Sequence, residues 1–360
     1  SVCIVIMAIL TGIYVIAGGY MATAINDFIQ GIIMLFGIVA VIVAVLMSKG
    51  GFTAALDGLA NVTDETVSTT PGVFASFFGA DPLNLMFVVI LTSLGTWGLP
   101  QMVQKFYAIK DESSIKKGTI ISTIFALVVA GGSYFLGGFG RLYSDKIDVK
   151  ANGFDSIIPT MLSELSAPLI ALVVILVLSA SMSTLSSLVI ASSSTLTIDF
   201  LKDNIVKKMD EKKQLLSIRI FVVIFIAISA ILALVQYKSS VTFIAQLMGI
   251  SWGALAGAFL APFLYALYWK KTTKAACWVS FVFGTGLMVI DLIGNLTGHH
   301  ILPTIMQSPI NCGAIAMLGG FVIVPIVSLV TPKPDSKFVE ETFACYKEKH
   351  EVEQDIALGD

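Results

Sequence analysis

The chain is predicted to be an all-α polytopic membrane protein, and three observations carry that reading. It is 56% hydrophobic and only 13% charged over 360 residues, where a soluble domain carries about 25% charged residues. Its mean hydropathy is +0.90. Apolar stretches long enough to cross a bilayer as helices, about twenty residues each, recur along almost the whole length.

Taken in order, the stretches predict about nine spans: Val2–Ala17, Ile25–Met47, Leu83–Val103, Thr119–Leu142, Ala167–Phe200, Leu215–Gln236, Thr242–Trp269, Ala275–Leu296 and Ile310–Val330. The polar segment Ser48–Asp81 is the longest loop. A short interfacial helix is expected within Asn152–Ser166, its apolar face made by Phe154, Ile157, Ile158, Met161 and Leu165. Residues 1–331 form the transmembrane region, and 332–360 a polar extramembrane tail. The chain opens at Ser1 inside an apolar run, without a basic flank or small-residue cleavage site, and is expected to be a fragment of a longer protein.

Cations mark the inner side. Lys105, Lys110, Lys116 and Lys117 follow the third span, Lys202, Lys207, Lys208, Lys212, Lys213 and Arg219 the fifth, and Lys270, Lys271 and Lys274 the seventh. The intervening loops carry acids such as Asp57, Asp64, Glu65, Asp145 and Asp148, or few charges. Alternation therefore places the C-terminal tail in the cytoplasm of a multi-pass protein of the cell membrane. The net charge of −2 argues against a nucleic-acid partner. The four cysteines, Cys3, Cys277, Cys312 and Cys345, have neither metal nor disulfide spacing.

The fifth span holds a dense run of hydroxyls from Ser181 to Thr197. Ala180, Ser183 and Thr184 stand at i, i+3 and i+4, so a freed Ala180 carbonyl and two hydroxyls share one helix face. Neutral hard oxygens at membrane depth suit sodium. The alternative is close helix packing, with each hydroxyl bonded back to a carbonyl one turn earlier. The third span breaks at Gly95-Thr96-Trp97-Gly98-Leu99-Pro100. Irregular backbone at that depth lines protein or a cavity, either as a proline kink or as the discontinuous helix of a transporter.

These residues resemble the sodium:solute symporter family, which includes proline, pantothenate, sialic acid and sugar carriers. The resemblance rests on the stretch Met182 to Phe200, on Gly18-Gly19 followed by Asp27 and Gln30-Gly31, on Trp97 to Phe106, and on Trp269 to Thr273. It implies an inverted-repeat, LeuT-like fold with a core of about five plus five helices. About nine of an expected thirteen or so helices are present here, with the first three core helices absent. It also implies Na+ as the coupling ion, bound by the Ala180 carbonyl and the Ser183 and Thr184 hydroxyls. Thr96 and Trp97 fall where family members contact or gate the solute, with Thr92, Gln101, Gln246 and Trp252 as further contacts. Thr96 departs from the aromatic often found there, and Ile198 replaces the acid that commonly precedes Asp199. The expected partners are a small organic solute, such as proline, another amino acid, pantothenate or a small carboxylate, and the lipid bilayer, with no obligate protein partner.

Other conspicuous side chains have plainer readings. Asp291 is the clearest acid within a span and reads either as a proton relay or, from its place near the outer end with Asn295 following, as a residue with an interfacial partner. Asp27 and Asp199 are expected to cap helices or to hydrogen-bond within loops at cytoplasmic ends. His299 and His300 form a two-histidine loop without a third metal ligand. An intramembrane enzyme would need a nucleophile with a base, or metal ligands, at membrane depth, and the histidines 299, 300 and 350 stand outside every span. A cation channel would favour a short symmetric pore element over many nonequivalent spans.

Overall fold

The computed structural model describes residues 2–106, 109, 111–147, 153–206, 209–239 and 244–347. Lys110, Asp148, Asn152, Lys207, Lys208, Thr242 and His350 lie outside the described residues. Apart from one isolated bridge between Asp64 and Ser68, regular structure among the described residues is helical. Among the described residues seven helices are long and apolar enough to cross a membrane.

Helix α1, Val2–Ser48, runs for 47 residues, roughly 70 Å if it were straight and so more than twice a bilayer core. It is two helices joined at Gly19, whose backbone at φ 57° and ψ −152° is tolerated by glycine and by few other residues. In a straight helix residues 14 and 26 would lie about 18 Å apart, yet Asn26 stands beside the Tyr14 phenol. The chain therefore reverses at Gly19, and the first two expected spans are a hairpin without a loop. Helix α2, Phe52–Ala60, buries Ala55 and Leu59 against Phe139 in the expected long loop.

The third expected span is interrupted, as α3, Pro82–Leu94, gives way to a 3₁₀ turn at Gly95–Gly98 and then to α4, Pro100–Phe106. The fourth is a composite: α5, Glu112–Phe125, a π-helical turn at Ala126–Ala130, α6, Gly131–Gly138, and a 3₁₀ stretch Phe139–Lys146. The short helix α7, Ile157–Ser163, corrects one expectation. It is more than an interfacial helix, because Met161, Leu162 and Leu165 are buried in a core with Val41, Val45 and Tyr143, while Phe154 and Ile158 are exposed. The hydroxyl-rich helix α8, Ala167–Thr195, runs on as a π-helical stretch over Leu196–Ile205. Then come α9, Glu211–Ser239; α10, Ile244–Tyr268; α11, Lys274–Thr297; α12, Pro309–Val330; and α13, Ser336–Thr342, in the tail.

The chain divides into two compact units, residues 1–85 with 101–244 and residues 86–100 with 245–360. In the first unit α8 packs chiefly along α1, and a second apolar cluster joins Val15, Val189, Val222 and Ile226. Lys49 lies over the Tyr143 ring, and Glu164 pairs with Lys146. Arg141 meets Asp64 at 2.9 Å. The Thr66 hydroxyl and amide, then Arg141, hold the Asp64 carboxyl down at about 2.

In the second unit α10, α11 and α12 approach backbone to backbone at glycines. A Cβ on Gly284 would stand 2.3 Å from the Gly257 carbonyl carbon, and one on Gly253 2.6 Å from the Gly313 Cα. Small residues at such crossings replace the hydrophobic drive that lipid removes. Asp291, 2% exposed, accepts from Asn295 Nδ2 at 3.0 Å.

Candidate functional site

The cation face lies in the first unit. Helix α8 is continuous through Ala180, Ser183 and Thr184, so the Ala180 carbonyl is not freed by a break. Instead Thr184 Oγ1 donates to the Ala180 carbonyl at 3.0 Å, which is the back-bonded arrangement open to any membrane threonine. The same bond brings two of the three expected ligand oxygens together. Ser183 is half-buried and Thr184 exposed, so both hydroxyls are accessible on this face. The next turn is tied down more firmly: Ser186 Oγ donates to the Ser183 carbonyl at 3.0 Å, Ser187 Oγ to Asp27 Oδ2 at 3.1 Å, and the Tyr14 hydroxyl to the Met182 carbonyl at 3.1 Å.

Asp27 therefore has a different place from the helix cap expected of it. It lies within α1, beyond the Gly19 break, and faces α8 because the hairpin folds residues 20–48 along the hydroxyl helix. Among the described residues its Oδ1 is buried without a hydrogen-bond partner, as are Thr11 Oγ1, Asn26 Nδ2, Gln30 Oε1, Ser193 Oγ and Thr197 Oγ1. Unpartnered polar atoms of this density along one seam are costly unless water or an ion reaches them. Thr23, Asp27 and Gln30 at i, i+4 and i+7 are the signal that could have revealed the seam from the sequence. A cavity of about 370 Å³ opens beside it, lined by Tyr20, Thr23, Asp27, Gln101, Lys105 and Ser187.

The residues expected to meet the solute are divided. Gln101 belongs to the first unit and lines that cavity. Thr92, Thr96, Trp97, Gln246 and Trp252 belong to the second. Within it, a Cβ on Gly95 would lie 3.6 Å from Trp252 Cε3, and one on Gly98 2.8 Å from the Ala256 Cα, so the broken turn packs directly on α10. Thr92 Oγ1 donates to the Val88 carbonyl at 2.8 Å and Thr96 Oγ1 to that of Ser93 at 3.0 Å. Trp97 is 62% exposed, an unusual position for a tryptophan beside a helix break.

Three comparisons with known proteins bear on this arrangement. Residues 1–284 match the model of the sodium:solute symporter family. The osmoregulated proline transporter OpuE of Bacillus subtilis is 26% identical over 89% of this chain and 62% of its own length. The sodium/pantothenate symporter of Haemophilus influenzae is 28% identical over 88% of this chain and 63% of its own. A sodium/proline symporter of Staphylococcus aureus is 27% identical over 94% and 63%. The chain thus spans 62–63% of the length of these curated relatives. A solved structure of a Na+-coupled sialic acid symporter, in a substrate-bound outward-open state, superposes with a TM-score of 0.64 at 15% identity, over 93% of this chain and 67% of that one. The fold is that of an inverted-repeat transporter, and with the family model matched across most of its length the chain belongs to the sodium:solute symporter family.

Proposed function

We propose that the protein, in its full-length form, takes up a small organic solute across the cell membrane by coupling it to sodium entry. The observation that carries this is the face of α8 where Ala180, Ser183 and Thr184 present neutral oxygens, accessible and followed by a turn held by hydrogen bonds. Sodium bound there in one conformation better than the other biases the two-state equilibrium and makes solute binding depend on the ion. The other sodium ligands come from outside this face. The charge pattern of the loops supports a cytoplasmic C-terminus. The chemistry of the names borne by the relatives, proline and pantothenate, points to a solute carrying a carboxylate.

Neutral oxygens have no group that titrates near neutral pH, so transport should follow sodium and not a proton gradient. Uptake of labelled proline, pantothenate and small carboxylates by cells expressing the full-length protein is expected to need external sodium and to survive a protonophore while the sodium gradient is held. Uptake that continues without sodium and collapses with the protonophore would refute the proposal.

The family resemblance at Thr96 and Trp97 supports a solute bound against the broken turn of the third span. Cysteines at 96 and 97, in a cysteine-free full-length background, should react with a small water-soluble thiol reagent and be protected by the transported solute. A cysteine at Leu91, fully buried on the continuous part of α3, should stay silent. Resistance at 96 and 97 under all conditions would reduce the break to a packing kink.

A further inference from the structure

We infer that Tyr14 is a positioning residue for the sodium face, acting through the backbone of α8. The inference rests on the reading of Ala180, Ser183 and Thr184 as cation ligands. The Tyr14 hydroxyl donates to the Met182 carbonyl at 3.1 Å across 168 residues of sequence. That carbonyl lies between Ala180 and Ser183 on the helix that bears all three proposed ligands. Helix interiors rarely receive a second donor on a carbonyl from a distant phenol, since the backbone ladder already supplies one.

The surroundings explain why this bond sets geometry and is more than generic packing. Three contacts converge on residues 182–187: Tyr14 on Met182, Ser186 on Ser183, and Ser187 on Asp27. The last two leave the turn tied to itself and to the second half of the α1 hairpin. Tyr14 is the polar tie from the first half, with Thr11, Asn26 and Ser186 close to its hydroxyl. Small shifts of a carbonyl-hydroxyl pair matter at an ion site, where the ligands must converge within a few tenths of an ångström. The apolar ring packs in the cluster of Val15, Val189 and Ile226, so removing the oxygen alone leaves the helices in contact.

The test is Tyr14→Phe in the purified full-length protein, titrated with radioactive sodium in detergent without solute, with the melting temperature measured on the same sample. The dissociation constant for sodium is expected to rise about three- to tenfold, the span of one ordinary hydrogen bond, with binding capacity and melting temperature kept. A fluorinated tyrosine at position 14, whose hydroxyl is a stronger donor in the same shape, should shift the constant the other way, and this decides the matter should the phenylalanine variant fail to fold. Wild-type sodium binding with no change in either variant, or a change that only follows a fall in melting temperature, would overturn the role of Tyr14 alone. A wild-type protein that binds no sodium would overturn the cation reading and this inference with it.

Discussion

Gly284→Ala should cost the full-length protein about 1–3 kcal/mol of stability, while Gly286→Ala, the same change half a turn away, should be neutral or slightly stabilising. At Gly284 the new methyl would meet the Gly257 carbonyl carbon at 2.3 Å, the Ala258 nitrogen at 2.5 Å and the Gly257 oxygen at 2.6 Å. All three are backbone atoms of α10, so no rotamer change relieves them, and α10 and α11 must separate. The displacement spreads to α12, because Gly257 also stands 2.9 Å from the Ala316 methyl when built out by one carbon. Around a Cβ at Gly286 nothing among the described residues beyond its own helix lies within 4 Å. Thermal unfolding in mild detergent, followed by exposure of the buried Cys312 to a fluorogenic thiol reagent, reads the difference. Equal melting temperatures for the two variants would mean that the helices do not meet as closely as described.

Loss of either hydroxyl on the cation face should be the largest functional effect. Ser183→Ala or Thr184→Ala removes one of about five oxygens from a desolvated ion, worth on the order of 2–3 kcal/mol. Half-maximal activation of uptake should therefore move to sodium concentrations roughly 30- to 100-fold higher. Ser192→Ala serves as the control, since that residue lies on the same helix but is exposed beyond the tethered turn. For Thr184 a second effect has the opposite sign: the alanine frees the Ala180 carbonyl from its hydroxyl donor, which restores part of that oxygen's capacity for the ion. Thr184→Ala should accordingly be the milder of the two. Unchanged sodium dependence in both would remove the site from this helix.

Much of this architecture was legible in the residues. Gly95, Gly98 and Pro100 predict a broken helix, and the hydroxyl run a special face on α8, while Gly18 and Gly19 mark only the junction between two spans. The spans could be delimited because lipid imposes length and apolarity on each one separately. What escaped were relations between distant residues. Asp27 looked like a cap because it stands at the edge of an apolar run, but the loopless hairpin carries it along α8 to Ser187, 160 residues away. Met161 and Leu165 looked lipid-facing, since an amphipathic helix shows the same period whether lipid or protein covers it. Tyr14 gave no signal, because a tyrosine in a span is ordinary until its acceptor is known.

The reversal at Gly19 also bears on how the protein is made. Two spans joined by a single glycine leave no stretch of chain between them, so the pair is expected to enter the bilayer as one paired insertion. Thr23 then closes its hydroxyl on the Gly19 carbonyl at 2.9 Å, satisfying the turn from within. Neither partner of such a pair can later be re-threaded alone, which makes this corner of the chain a fixed point of assembly around which the hydroxyl helix, synthesised much later, has to be laid.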